Sequence, residues 1–111
     1  MAKVYLEKLS HLISDLDIAD EVAVKLEAKH FFSGAALYAN QVLCASWSPA
    51  GLAFKLTESE VTKLIDSGKA KPLRYFEKGH VKKGYAVFEN PEMMKKTRWK
   101  NYFLKAIEEV S

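Results

Sequence analysis

Between Phe31 and Leu56 the chain reads FFSGAALYANQVLCASWSPAGLAFKL, three short apolar runs divided by two turn signals. The runs are Ala35 to Ala39, Val42 to Trp47 and Leu52 to Leu56. Asn40-Gln41 and Ser48-Pro49-Ala50-Gly51 stand between them, residue types that favour tight turns. Short apolar runs bounded in this way predict a three-stranded antiparallel meander. In the second run Val42, Cys44 and Ser46 alternate with Leu43, Ala45 and Trp47, so neither face of that strand is properly polar. A sheet of this kind needs cover on both sides.

The flanking segments supply helices for one side. Tyr5, Leu9, Leu12, Ile13 and Leu16 recur at three- and four-residue steps, an amphipathic helix of about four turns ended by the Asp17, Asp20 and Glu21 cluster. Val22, Val24, Leu26 and Ala28 then alternate with Ala23, Lys25, Glu27 and Lys29, which predicts a strand leading into the meander through Gly34. After the third run, Thr57 followed by Glu60 is a capping box that opens a helix with Val61, Leu64 and Ile65 on its buried stripe. Gly68 closes it.

Pro72 to Phe76 and Tyr85 to Phe88 read as two further strands, with Pro72 at an edge or entry position. Asn90-Pro91-Glu92 is a helix start. Lys95 and Lys96 break the apolar stripe that follows, so a short helix, a break near Thr97 and a final helix from about Arg98 to Glu109 are expected. Trp99, Tyr102, Phe103, Ile107 and Val110 lie on its buried side. The order is α, four strands, α, two strands, α: an α+β fold with a mostly antiparallel sheet of about six strands, forming one domain over residues 1–111. Phe54 and Leu37 are expected in its core.

At 111 residues and 49% hydrophobic content the chain can bury a core without disulfides or metals. Cys44 is its single cysteine, which excludes an internal disulfide and fits a reducing compartment. No secretory leader or membrane span is legible, so a soluble cytoplasmic protein is expected. The net charge of +3 conceals a division. Residues 1–68 hold 6 basic against 9 acidic side chains, residues 69–105 hold 11 against 3, and residues 106–111 hold only 2 acidic ones. Such sorting suits an acidic partner, protein or nucleic acid, although a solvated face carries similar bias.

Catalytic chemistry finds no starting point. Cys44 sits mid-strand without a neighbouring His or helix N-terminus to activate it. His11, His30 and His80 lack the spacing of a metal site. Glu58 and Glu60 belong to a helix start, and Ser33-Gly34 lacks the repeated glycines of a phosphate loop. No enzyme activity, cofactor, metal or small-molecule substrate is expected.

Lys29, His30, Phe31, Phe32, Ser33, Gly34, Ala35, Ala36, Leu37 and Tyr38, followed by Leu52, Ala53, Phe54, Lys55 and Leu56, resemble the N-terminal domain of the TfoX/Sxy family of bacterial competence regulators. The family pattern runs from a basic residue through Met-Phe-Gly-Gly, an aromatic and Gly-Leu-Tyr to a strand ending Leu-Tyr-Leu-Lys. Phe32, Gly34, Leu37, Tyr38 and Lys55 match it, whereas Phe31, Ser33 and Ala36 replace the usual Met and two glycines. Pro72 to Tyr75 and Lys83 to Tyr85 resemble the family's later strand pair. The resemblance implies a compact α+β domain without enzymatic activity, here as a stand-alone version lacking the family's C-terminal helical domain. It implies a role in transcription regulation through a protein partner, which in the family is the cyclic-AMP receptor protein.

The leading expectation is therefore a non-enzymatic interaction module in gene regulation. The alternative is direct nucleic-acid binding through the basic segment 69–105. In either case Lys82, Lys83, Lys95, Lys96, Arg98 and Lys100 are the candidate contacts, to an acidic surface of the transcription machinery or a regulator, or to DNA. The doubly apolar meander predicts a homodimer with Leu43 and Trp47 at its interface.

Overall fold

The computed structural model describes residues 2–31, 34–49, 51–73, 82–89, 91 and 97–110. Among them the elements run α1 (Ala2–Asp15), α2 (Ile18–Glu21), β1 (Leu26–Phe31), β2 (Gly34–Ala39), β3 (Val42–Ser48), β4 (Gly51–Lys55), α3 (Glu58–Asp66), β5 (Lys71–Leu73), β6 (Lys82–Phe88) and α4 (Thr97–Val110). The fold is α+β, with one six-stranded antiparallel sheet in the order β1-β2-β3-β4-β6-β5. β6 inserts between β4 and β5, pairing antiparallel with both, so α3 serves as the crossover between two strands that run the same way.

The meander forms where its turns predict it. Asn40 and Gln41 both carry positive φ, 48° and 70°, the backbone of a two-residue type I′ hairpin, whose twist matches the flanking strands. Asn40 also accepts a hydrogen bond on Oδ1 from the Lys25 backbone, and its own N–H donates to the Lys25 carbonyl. This turn explains why β1 begins at Leu26 rather than Val22. β2 ends at Ala39, so residues 22–24 have no strand to pair with. Val22 and Val24 keep their alternation and pack against the core from an irregular segment that follows α2. That short helix, absent from the sequence-based expectation, is set up by Asp17 in a left-handed conformation (φ 53°) and anchored by the fully buried Ile18.

The helices lie on one face of the sheet. Leu9, Leu12 and Leu16 of α1, Ile18, Val61 of α3, and Trp99, Phe103, Ala106 and Ile107 of α4 join Leu37, Ala45, Trp47, Leu52, Phe54, Leu56, Ala86 and Phe88 in the main core. Ala53, Tyr85 and Val87, with Leu43 against them, form a second, smaller cluster on the opposite face.

A β-bulge corrects the assignment of faces in β3. Leu37 pairs with Ala45 and Tyr38 pairs with Leu43, which leaves Cys44 as the extra residue. Cys44 and Ala45 both enter the main core, and Leu43 is turned to the side opposite Trp47.

The end of α3 follows its sequence signal, with a difference at its start. Thr57 Oγ1 accepts from the Glu60 backbone N–H at 3.2 Å. The Glu60 carboxylate, however, receives the Thr57 hydroxyl at 3.5 Å and Lys105 of α4 at 3.0 Å, so the box is half formed and its acid ties two helices together. At the other end Gly68 N–H donates to Ile65 and Lys69 N–H to Leu64, the paired bonds of a Schellman motif, with Gly68 at φ 77°.

Candidate functional site

The Schellman turn delivers Lys69 to the edge of a cleft of about 400 Å³, lined also by Phe88 at the end of β6 and by Thr97, Arg98, Asn101 and Tyr102 of α4. Phe88 is almost fully buried, and its ring lies 4.9 Å from that of Tyr102 between centroids, giving the cleft an aromatic wall. Thr97, Arg98 and Asn101 are exposed around it. They belong to the first described turns of α4.

The surface cations differ in how they are paired. Lys100 reaches Glu21 at 2.8 Å, Lys71 reaches Glu89 at 2.9 Å, Lys105 reaches Glu60 at 3.0 Å and Lys55 reaches Glu109 at 3.7 Å. Lys29 and Lys25 both approach Glu27, at 3.3 and 3.9 Å. Lys69 and Arg98, by contrast, make no ion pair among the described residues, and they flank the cleft together. Two guanidinium or ammonium groups beside hydroxyl and amide side chains suit a carboxylate or another anion.

Of the residues expected to bind a partner, Arg98 lines this cleft. Lys100, two positions on, is turned to α2, and the hydrogen bond it donates to Glu21 raises its pKa above the ordinary lysine value. Lys82 and Lys83 open β6, at the end of the strand opposite Phe88. Lys95 and Lys96 lie outside the described residues. Lys69, Phe88, Thr97, Asn101 and Tyr102 were not singled out as a site from sequence, since only the packing of α4 across the end of β6 brings them together.

The two candidates for a dimer interface are placed apart. Trp47 is 7% exposed, sits in the main core and carries the Lys8 ammonium of α1 5.7 Å over its ring, so its surface is already used within the protomer. Leu43 is half-buried on the other face, where Tyr85 donates its hydroxyl to the Leu43 carbonyl at 3.4 Å.

Cys44 is fully buried, its Sγ 3.4 Å from the Leu37 carbonyl oxygen, and burial pushes its pKa from 9.0 to about 12. A thiol so placed stays protonated at neutral pH. Among the described residues no three His, Cys, Asp or Glu side chains converge in a way that could hold a metal ion, and no helix is long and apolar enough to cross a membrane. No protein-family model, curated protein or solved structure matches the chain.

Proposed function

We propose that this chain is a non-enzymatic interaction module of gene regulation, similar to the N-terminal domain of the TfoX/Sxy competence regulators, and that it docks an acidic group of a protein partner between Lys69 and Arg98. The observation that supports this reading is the contrast in charge pairing. Six lysines distributed over the surface are matched by carboxylates of the same chain, whereas the two cations beside the cleft make no ion pair among the described residues and, unlike the equally unpaired Lys63, stand together at one cleft. Such cations beside an aromatic wall and the Thr97 and Asn101 side chains offer a carboxylate both charge and hydrogen-bond donors.

The same contrast favours a protein over DNA. Lys71, Lys100 and Lys105, which a phosphate backbone would engage along the basic segment, are occupied by Glu89, Glu21 and Glu60. The resemblance suggests the cyclic-AMP receptor protein as the first partner to try, in a bacterial cytoplasm.

The test is titration of purified cyclic-AMP receptor protein, and capture from bacterial lysate with and without nuclease, using wild type and the Lys69→Glu/Arg98→Glu double variant. The reading expects a protein partner that survives nuclease, is lost by the double variant and is kept by Lys63→Glu, a cation outside the cleft. Binding that the double variant retains, or that nuclease abolishes, would overturn it.

A further inference from the structure

The two edges of the sheet are guarded differently. β5, Lys71–Leu73 among the described residues, contains Pro72, which has no N–H to offer, so that edge is poorly suited to adding a strand there. β1, at the other edge, has six residues and no proline.

The register of β1 defines which groups it offers. Lys25 and Asn40 are a hydrogen-bonded pair, as the Asn40 N–H to Lys25 carbonyl bond of 2.8 Å shows. In an antiparallel ladder such pairs alternate, so Glu27 and Lys29 turn their backbone groups toward Tyr38 and Ala36. Leu26, Ala28 and His30 therefore turn their N–H and C=O groups outward at the open edge.

We propose that β1 pairs antiparallel with β1 of a second copy of this chain, with Ala28 opposite Ala28 on the two-fold axis. This register places the outward backbone groups of Leu26, Ala28 and His30 opposite those of His30, Ala28 and Leu26, so that the ladder continues across the axis. It also sets Glu27 opposite Lys29 of the second copy, twice over, in the non-hydrogen-bonded positions where side chains approach most closely. Sliding the pairing two residues one way places Lys29 against Lys29. Sliding it two residues the other way places Glu27 against Glu27 and Lys25 against Lys29. Like charges directly opposite disfavour both, and the further slide that sets Leu26 opposite Leu26 and Lys25 opposite Glu27 leaves only Leu26 of β1 paired within the strand, so the Ala28 register combines opposite charges with the longer ladder. The twelve-stranded sheet that results is an isologous dimer, made without Trp47 and independently of the cleft.

The experiment is mass measurement by light scattering at up to about 100 µM, a concentration that saturates even a micromolar contact. Wild type is expected at twice the 12.6 kDa of the single chain. Glu27→Lys and Lys29→Glu are each expected to be monomeric alone, since each sets like charges opposite one another. Mixed in equal amounts they regain opposite-charge pairs and are expected to form the mixed dimer. A monomeric wild type, single variants that still dimerise, or a mixture that stays monomeric would each overturn the proposal. Amide exchange on the wild type provides a measurement free of substitutions. The Leu26, Ala28 and His30 amides are expected to be protected at high concentration and to exchange faster on dilution, and rapid exchange in a dimeric sample would place the interface elsewhere.

Discussion

Gly34 opens β2 so close to the Trp47 carbonyl oxygen that a side chain at position 34 would collide with backbone. A Cβ there would also lie 2.7 Å from Ser48 Cα. Backbone held in a six-stranded sheet cannot retreat as the tip of a flexible side chain can, so Gly34→Ala is expected to cost about 1 to 3 kcal/mol. Thermal melts should show a fall of several degrees. Gly68→Ala tests a different cause at about 1 to 2 kcal/mol, since the space around Gly68 is open and only its left-handed backbone resists a side chain.

Phe54 holds the aromatic centre of the core. It is fully buried, with ring centroids of Phe103, Tyr102, Trp99 and Phe88 at 4.9, 5.6, 5.9 and 6.0 Å. These rings come from β6 and α4, whose own backbones are fixed, so they can close only part of the cavity that Phe54→Ala leaves. A loss of roughly 3 to 5 kcal/mol is expected. Calorimetry should register it as the largest destabilisation among single truncations in the meander, and a melt within about 2 °C of wild type would contradict the assignment.

Phe54, Leu37 and the meander were legible because their signals are local: period-two runs, turn residues and a glycine after a helix. The bulge at Cys44 was not, because a single inserted residue leaves the apolar pattern of β3 intact while reversing the face of Leu43. α2 was missed for a related reason. Four residues carry no helical period, and Ile18 reveals its role only by what it packs against. The cleft depends on Lys69 and Arg98 meeting across 29 positions of sequence, a relation that no local pattern encodes. The charge division was legible as a fact, yet much of it resolves inside the protomer. Glu109, poorly placed for the dipole in the last turn of α4, lies 3.7 Å from Lys55, and Lys100 of the same helix is matched by Glu21.

The Lys100 and Glu21 pair makes a prediction for alkaline solution. The hydrogen bond that Lys100 donates to Glu21 raises the Lys100 pKa in the folded state above its ordinary 10.5, so the pair contributes fully below that value. Its contribution is lost as pH rises through the raised folded pKa. Glu21→Gln should lower the Lys100 titration midpoint, observable by NMR of the side-chain carbon next to the ammonium. An unchanged midpoint would show that the pair does not persist in solution.

Cys44 should make folding more sensitive to base than the surface alone would. Its thiol titrates at about 12 in the folded chain against 9.0 when exposed, because burial disfavours the thiolate. Below pH 9 both states keep the proton and the group has no effect on the pH dependence. Between 9 and 12 the unfolded chain releases a proton that the folded one retains, so stability falls as pH rises, with a slope of up to about 1.4 kcal/mol per pH unit. Comparing chemical denaturation of wild type and Cys44→Ala across that window separates the thiol from the lysines and tyrosines that both proteins share. The variant starts from lower stability, having lost a buried side chain, but its curve should be flatter. The same burial predicts that a thiol reagent modifies native Cys44 only as fast as the sheet opens, with rates that rise in denaturant. Immediate modification of the folded protein at neutral pH would contradict both expectations at once, since it would require the thiol to meet solvent without opening of the bulge between β2 and β3.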